Sequence, residues 1–136
     1  MTDAPLLDTN VLSEIMRGKN LSIQNNARAY LAQYGQFRFS ILTRYEILRG
    51  FEAKQATAQL ARFQEQCRKS DILPLTDEIV ERAAKIYGQL HREGRLITDA
   101  DILIAATAMV HHLALVTENV KHMNRISGLQ VASWQS

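Results

Sequence analysis

Leu6-Leu7-Asp8-Thr9-Asn10-Val11-Leu12 decides how the rest of the chain is read, because a short apolar run delivers a carboxylate at its end and turns at once into a helical pattern. An apolar strand ending in Asp-Thr-Asn sets a carboxylate and two small polar side chains at the carboxyl edge of a sheet, where open α/β folds place their ligand sites. Asp8 is equally suited to cap the helix that follows. The stretch becomes specific for chemistry only if further carboxylates reach the same edge.

Working outward, a strand over 5–7 and a helix over 9–16 are followed by the stop Gly18-Lys19-Asn20. Ile23, Ala27, Tyr30, Leu31 and Tyr34 recur at helical spacing, predicting a helix capped by Ser22 and closed by Gly35. Residues 37–41 alternate as a short strand. From Thr43 a helical region runs through Leu60, Phe63 and Cys67 with a break near 54–57, and Thr43 with Glu46 has capping-box spacing. A third strand over 71–75 precedes a long helix capped by Thr76 and ending at Gly94. Residues 98–110 form a helix so apolar on most faces that it must be buried, again opened by a box-like pair, Thr98 and Asp101. A buried strand over 114–117 ends in Glu118-Asn119, and Leu129-Gln130-Val131 and Trp134 close the pattern.

Strands alternating with helices at this spacing predict an α/β fold with a mainly parallel central sheet of four to five strands and helices on its faces. The 136 residues fit one domain, 1–136, without repeat, low-complexity tract or linker. A composition of 46% hydrophobic and 22% charged residues excludes a disordered tail, and the apolar runs are too short for a membrane span. With a single cysteine, Cys67, neither an internal disulfide nor a cysteine zinc site is possible, and the cytoplasm is the expected compartment. The net charge of +2 permits a nucleic-acid partner without arguing for one.

Right-handed crossovers place the strand-to-helix turns on one edge, so Asp8 and Glu118-Asn119 are expected at one crevice, with Glu46 and Asp101 opening onto it from first helical turns. Carboxylates brought together raise one another's pKa unless a cation offsets them. Asp8, Glu46 and Asp101, with Asp99 and Asn119 in reach, form an all-oxygen set that suits Mg²⁺ or Mn²⁺ and not zinc. The four histidines do not restore a zinc reading: His111 and His112 diverge, and His91 and His122 are isolated.

Taken in order, Leu-Asp-Thr-Asn at the start, Glu46 followed by Leu48 and Gly50, Asp101-Ile-Leu-Ile-Ala-Ala-Thr-Ala, Leu-Val-Thr-Glu-Asn and the Gly-Leu…Trp ending resemble the PIN-domain ribonucleases, most closely the toxins of VapBC type II toxin–antitoxin pairs. The resemblance implies a three-layer αβα fold and Mg²⁺- or Mn²⁺-dependent endoribonuclease activity, with structured RNA such as tRNA loops as the favoured substrate. A VapB-like antitoxin as inhibitor, a homodimer and higher toxin–antitoxin assemblies are implied as well. Asp8, Glu46 and Asp101 match the family's core acids, and Asp99 matches an additional acid of many relatives. Asn119 falls at the fourth core position, where the family has Asp or Asn. His122 stands where many relatives carry an acid, and Met123 replaces the aromatic that follows it.

In the mechanism this implies, the ion is held by Asp8, Glu46 and Asp101 and activates a water at the phosphodiester. Thr9, Asn10 and Ser40 are expected to position water or phosphate oxygen, and Thr117 to orient the carboxylates. Arg17, Lys19, Arg44, Arg49, Arg95 and Lys121 make a basic rim for RNA, with Arg44 and Arg49 favoured because they flank Glu46; in this family such residues also receive the antitoxin. Tyr30, Tyr34 and Phe51 fit either core or a dimer face. Two rival readings are a Mg²⁺-dependent phosphatase of the haloacid-dehalogenase type, whose second Asp is here Asn10, and a non-catalytic RNA- or partner-binding module.

Overall fold

The computed structural model describes residues 3–135. The elements run β1 (Leu6–Leu7), α1 (Thr9–Arg17), α2 (Leu21–Tyr34), β2 (Arg38–Ser40), α3 (Ile41–Ala53), α4 (Thr57–Arg68), β3 (Asp71–Leu73), α5 (Asp77–Arg92), α6 (Asp99–Val110), β4 (Leu115–Val116), α7 (Val120–Met123) and β5 (Val131–Ala132). The strands lie in the order β3-β2-β1-β4-β5, and all four pairings are parallel.

Neighbouring residues of a strand face opposite ways, and this separates two cores. Leu6 and Leu115 point to one face, where they meet Ile79, Ala83, Ile86 and Leu90 of α5 and the apolar length of α6. Leu7, Phe39 and Val116 point to the other and meet Val11 and Leu12 of α1, Ala27 and Tyr30 of α2, Ile47 of α3 and Phe63 of α4. The result is three layers, α5 and α6 below the sheet and α1 to α4 above it. Helix α6 is apolar all round because it lies between α5, α3 and the sheet.

The chain proceeds from β1 to β2 on one side, and after β3 it crosses to β4 on the other side of β1. That reversal makes the carboxyl ends of β1 and β4 the switch point, the place where a crevice opens in such sheets. Asp8 and Thr117 are the residues that leave those two strand ends.

Several boundaries move from their expected places. Helix α2 is capped by Asn20, which accepts the Ile23 amide at 3.0 Å, while the Ser22 hydroxyl donates to the Trp134 carbonyl at 2.6 Å. Helix α3 starts at Ile41, capped by Ser40, so the strand ends earlier and Thr43 and Glu46 lie inside the helix and make no capping box. Strand β3 stops at Leu73, before Pro74. A fifth strand, β5, pairs alongside β4. Tyr30 is buried with its hydroxyl donating to the Pro5 carbonyl at 2.7 Å, which makes it core, while Tyr34 and Phe51 are partly buried against the same core. Among the described residues, no helix is long and apolar enough to cross a membrane.

Candidate functional site

Asp8 leaves β1 in extended conformation as the N-cap of α1, with only 3% of its surface exposed. The Thr9 amide donates to its Oδ1 at 2.8 Å and the Thr117 hydroxyl to its Oδ2 at 2.6 Å. Burial raises the Asp8 carboxyl to about 6, against the pull of those two donors; the charges of Asp101 and Glu46 push it the same way as burial. Both readings of Asp8 are therefore met at once, cap and member of an acid cluster.

From the first turn of α6, Asp101 enters the same crevice, its amide donating to the Thr98 hydroxyl at 3.2 Å. Its carboxyl is also raised, chiefly by burial, with Glu46 adding to the rise and Thr98, His122 and Asn119 opposing it. Asn119 heads α7, but its side chain makes no capping bond and donates instead to Asp101 Oδ2 at 3.3 Å. Its amide donates to the Thr117 hydroxyl at 2.9 Å, so one chain of hydrogen bonds runs from Asp8 through Thr117 and Asn119 to Asp101.

Glu46 projects from the middle of α3, and its Oε1 accepts from the Thr9 hydroxyl at 2.6 Å. Because the Thr9 hydrogen is engaged there, the Thr43 hydroxyl, 3.0 Å away, must be the donor to Thr9. This Thr43-Thr9-Glu46 relay, buried at its Thr43 end, was not read from the sequence; the available signal was that Thr43 stands three residues before Glu46, on the same helix face. Arg49, three residues after Glu46, brings its guanidinium to 3.7 Å from Oε2 while most of its side chain stays exposed.

Some expected participants lie elsewhere. The Ser40 hydroxyl is 1% exposed and accepts the Leu42 amide as the α3 cap, which takes it out of reach of water or phosphate. Arg44 is two residues from Glu46, nearly half a turn round the helix, and lies beside Cys67 in a separate groove with Gln64, Arg68 and Ile72. Asp99 is exposed at the α6 entrance, and Asn10, also exposed, accepts the Glu118 amide at 3.4 Å. Arg17 pairs with Glu14 at 3.0 Å, and Lys19, Arg95 and Lys121 are exposed. His122, expected at the surface, is exposed on α7 but lies close enough to act on Asp101.

Glu118 turns its side chain away from the crevice. Its carboxylate accepts from the Ser133 hydroxyl at 3.0 Å and the Trp134 amide at 3.1 Å. The Trp134 ring packs edge-on against Tyr30, 5.8 Å between centroids, and its carbonyl takes the Ser22 hydroxyl. The C-terminal segment thus clasps the loop that carries Thr117 and Asn119.

A divalent cation fits this donor set in kind and in charge. The oxygens are hard ligands, and among the described residues neither Asp8 nor Asp101 has a cationic side chain within ion-pair distance. As the side chains stand, no three acidic, histidine or cysteine groups among the described residues close round a common point. Glu46 bonds toward Thr9 and Asp101 toward Asn119.

Comparison with known proteins adds four findings. The PIN domain family matches residues 6–129. Ribonuclease VapC1 of Methanocaldococcus jannaschii is 33% identical over 128 residues, covering 93% of this chain and 85% of that protein. The tRNA(fMet)-specific endonuclease VapC of Shigella flexneri is 26% identical over 130 residues, covering 95% and 96%. Among solved structures, VapBC-1 from nontypeable Haemophilus influenzae aligns with a TM-score of 0.77 at 25% identity, over 96% of this chain and 98% of that one.

Proposed function

The chain belongs to the PIN-domain family, among the VapC ribonucleases, and from that membership we propose that it is a Mg²⁺- or Mn²⁺-dependent endoribonuclease, the toxin of a VapBC-type pair. The observation that carries the metal-dependent reading is Asp8, a buried carboxylate beside two others, held by two neutral donors and no cation. A group so placed is costly unless a cation joins it.

Asp8, Glu46 and Asp101 would hold the ion, which when bound would lower the pKa of a water ligand and offset charge growing on the phosphate. The chain's own residues prepare that site. Thr117 fixes one Asp8 oxygen and the Thr9 amide the other, so each oxygen keeps a lone pair for the ion. Thr43 and Thr9 hold Glu46 from the opposite wall, and Asn119 orients Asp101. Asn10, at the exposed lip, is placed to bond a phosphate oxygen or water. Arg49 and Lys121 supply exposed positive charge on the two sides of the crevice, on α3 and α7. Such charge attracts RNA without reading its sequence.

A VapB-like antitoxin partner follows from the likeness to toxin–antitoxin complexes, and a homodimer and a tRNA substrate complete the proposal, the latter supported by the Shigella relative's name. The test is cleavage of total RNA with Mg²⁺ or Mn²⁺, followed by mapping of the cut ends. Asp101→Asn should lose more than the roughly 10- to 100-fold that removal of an outer supporting group costs, and chelation should abolish cutting. Cleavage that survives both would refute the metal-dependent mechanism.

A further inference from the structure

Beside the carboxylate crevice, and sharing Glu46 with it, a cavity of about 420 Å³ opens between α1, α3 and α4. Three cations from different segments stand on its rim: Arg17 at the end of α1, Lys54 in the α3–α4 turn and Arg62 on α4. Lys54 and Arg62 are exposed and, among the described residues, have no carboxylate within ion-pair distance. The wall is mixed, with Met16, Ile47 and Phe51 as its apolar part and Ser13 and Gln59 as its neutral polar part, and the Phe51 ring is fixed edge-on against Phe63 at 6.3 Å between centroids.

Three carboxylates at the point of cleavage repel the polyanion that must reach them, so positive charge has to lie along the strand's path. The cavity supplies that charge next to Glu46, together with an aromatic surface of the kind on which unpaired bases rest. An acidic peptide would gain from the rim but would also meet Glu46 in the lining; a phosphodiester is the one anion whose cleavage requires it to be there. We propose that this cavity seats the single-stranded RNA nucleotide adjoining the scissile phosphate. Arg17, Lys54 and Arg62 hold its flanking phosphates, and Phe51 with Met16 faces its base.

The inference rests on the ribonuclease reading, and its test keeps the two apart. Cleavage kinetics are compared for the wild-type chain and the double variant Lys54→Gln/Arg62→Gln, both folded by circular dichroism. Binding of a fluorescent single-stranded RNA of roughly twelve nucleotides is followed against salt on an Asp101→Asn background. The double variant should raise KM about tenfold with kcat little changed, and the slope of log affinity on log salt should fall in magnitude by about 1.4. Phe51→Leu should shift the preferred cleavage positions. Unchanged KM, slope and cut sites in an active enzyme would overturn the cavity's role and leave the nuclease reading intact. Weakened capture of an antitoxin peptide with RNA binding unaltered would overturn it in favour of a protein partner. A wild-type chain that cuts no RNA would overturn both.

Discussion

At the scale of single residues, Asp8 sets function against stability. The fold favours its neutral form, since its pKa rises from the ordinary 3.8 to about 6. Its contribution to stability is therefore complete below 3.8 and is lost as pH rises through about 6, a difference of about 3 kcal/mol by neutral pH. Asp101 is displaced in the same direction and adds to the loss. Asp8→Asn keeps an acceptor for the Thr9 amide and places a donor amide against the Thr117 hydroxyl, which can accept it. In metal-free buffer at neutral pH this variant should be more stable than wild type by about 1–2 kcal/mol, a rise in Tm of roughly 5 °C, while losing all cleavage. Thermal melts across pH check this: the gain should shrink toward pH 4, and a variant less stable at neutral pH would show that Asp8 carries no unrelieved charge.

Among the elements, the clasp formed by the C-terminal segment is what holds the β4–α7 loop in place. Strand β5 receives the Thr117 amide at its Ala132 carbonyl at 2.9 Å, and Glu118 ties Ser133 and Trp134 to the loop that presents Asn119. Glu118 lies outside the carboxylate cluster, so its effect should pass through the positions of Thr117 and Asn119. Glu118→Gln weakens a charge-assisted acceptor and should cost about 1 kcal/mol of stability. It should also raise the Mn²⁺ concentration needed for half-maximal cleavage about tenfold, with kcat at saturating Mn²⁺ largely kept. A loss of stability with unchanged Mn²⁺ dependence would make the clasp a purely structural tie. The same comparison explains why Trp134 could be named from the sequence as the closing residue, yet not given a partner. Its ring meets Tyr30 and its backbone meets Glu118 and Ser22, contacts between segments far apart in the chain.

For the whole molecule, the proposed ion acts as a ligand of the native state, in which three otherwise scattered acids come together. At a concentration one hundred times its Kd, Mn²⁺ should add about 2.7 kcal/mol and raise Tm by roughly 10 °C, a shift that Asp8→Asn should erase. Equal melts with and without Mn²⁺ would argue against the site. The layered α/β architecture was legible in the sequence because periodicity is local: period-two runs and helical stripes of apolar residues name strands and helices wherever they fall. Asp8 and Asp101 were legible because one directly follows a strand and the other opens a helix, and parallel topology sends those junctions to one edge; Glu46, expected in a first helical turn, lies in the middle of α3 and was named by its match to the family's acids. What the sequence could not rank was which polar neighbours serve the site. Thr43 and Ser40 are both buried polar residues near the start of α3, yet one hydroxyl meets Thr9 and the other caps the helix. Arg44 and Arg49 both flank Glu46, yet only Arg49 shares its face, because the true helix start and the position of α4 place Arg44 against Cys67. The chain by itself therefore determined the elements and their parallel pairing, which follow from short-range pattern and connection rules, and it named the three acids through those rules together with the family resemblance. The partners of those acids, the clasp on their loop and the basic cavity beside Glu46 were decided only by the tertiary structure, since a side chain's direction depends on what packs around it.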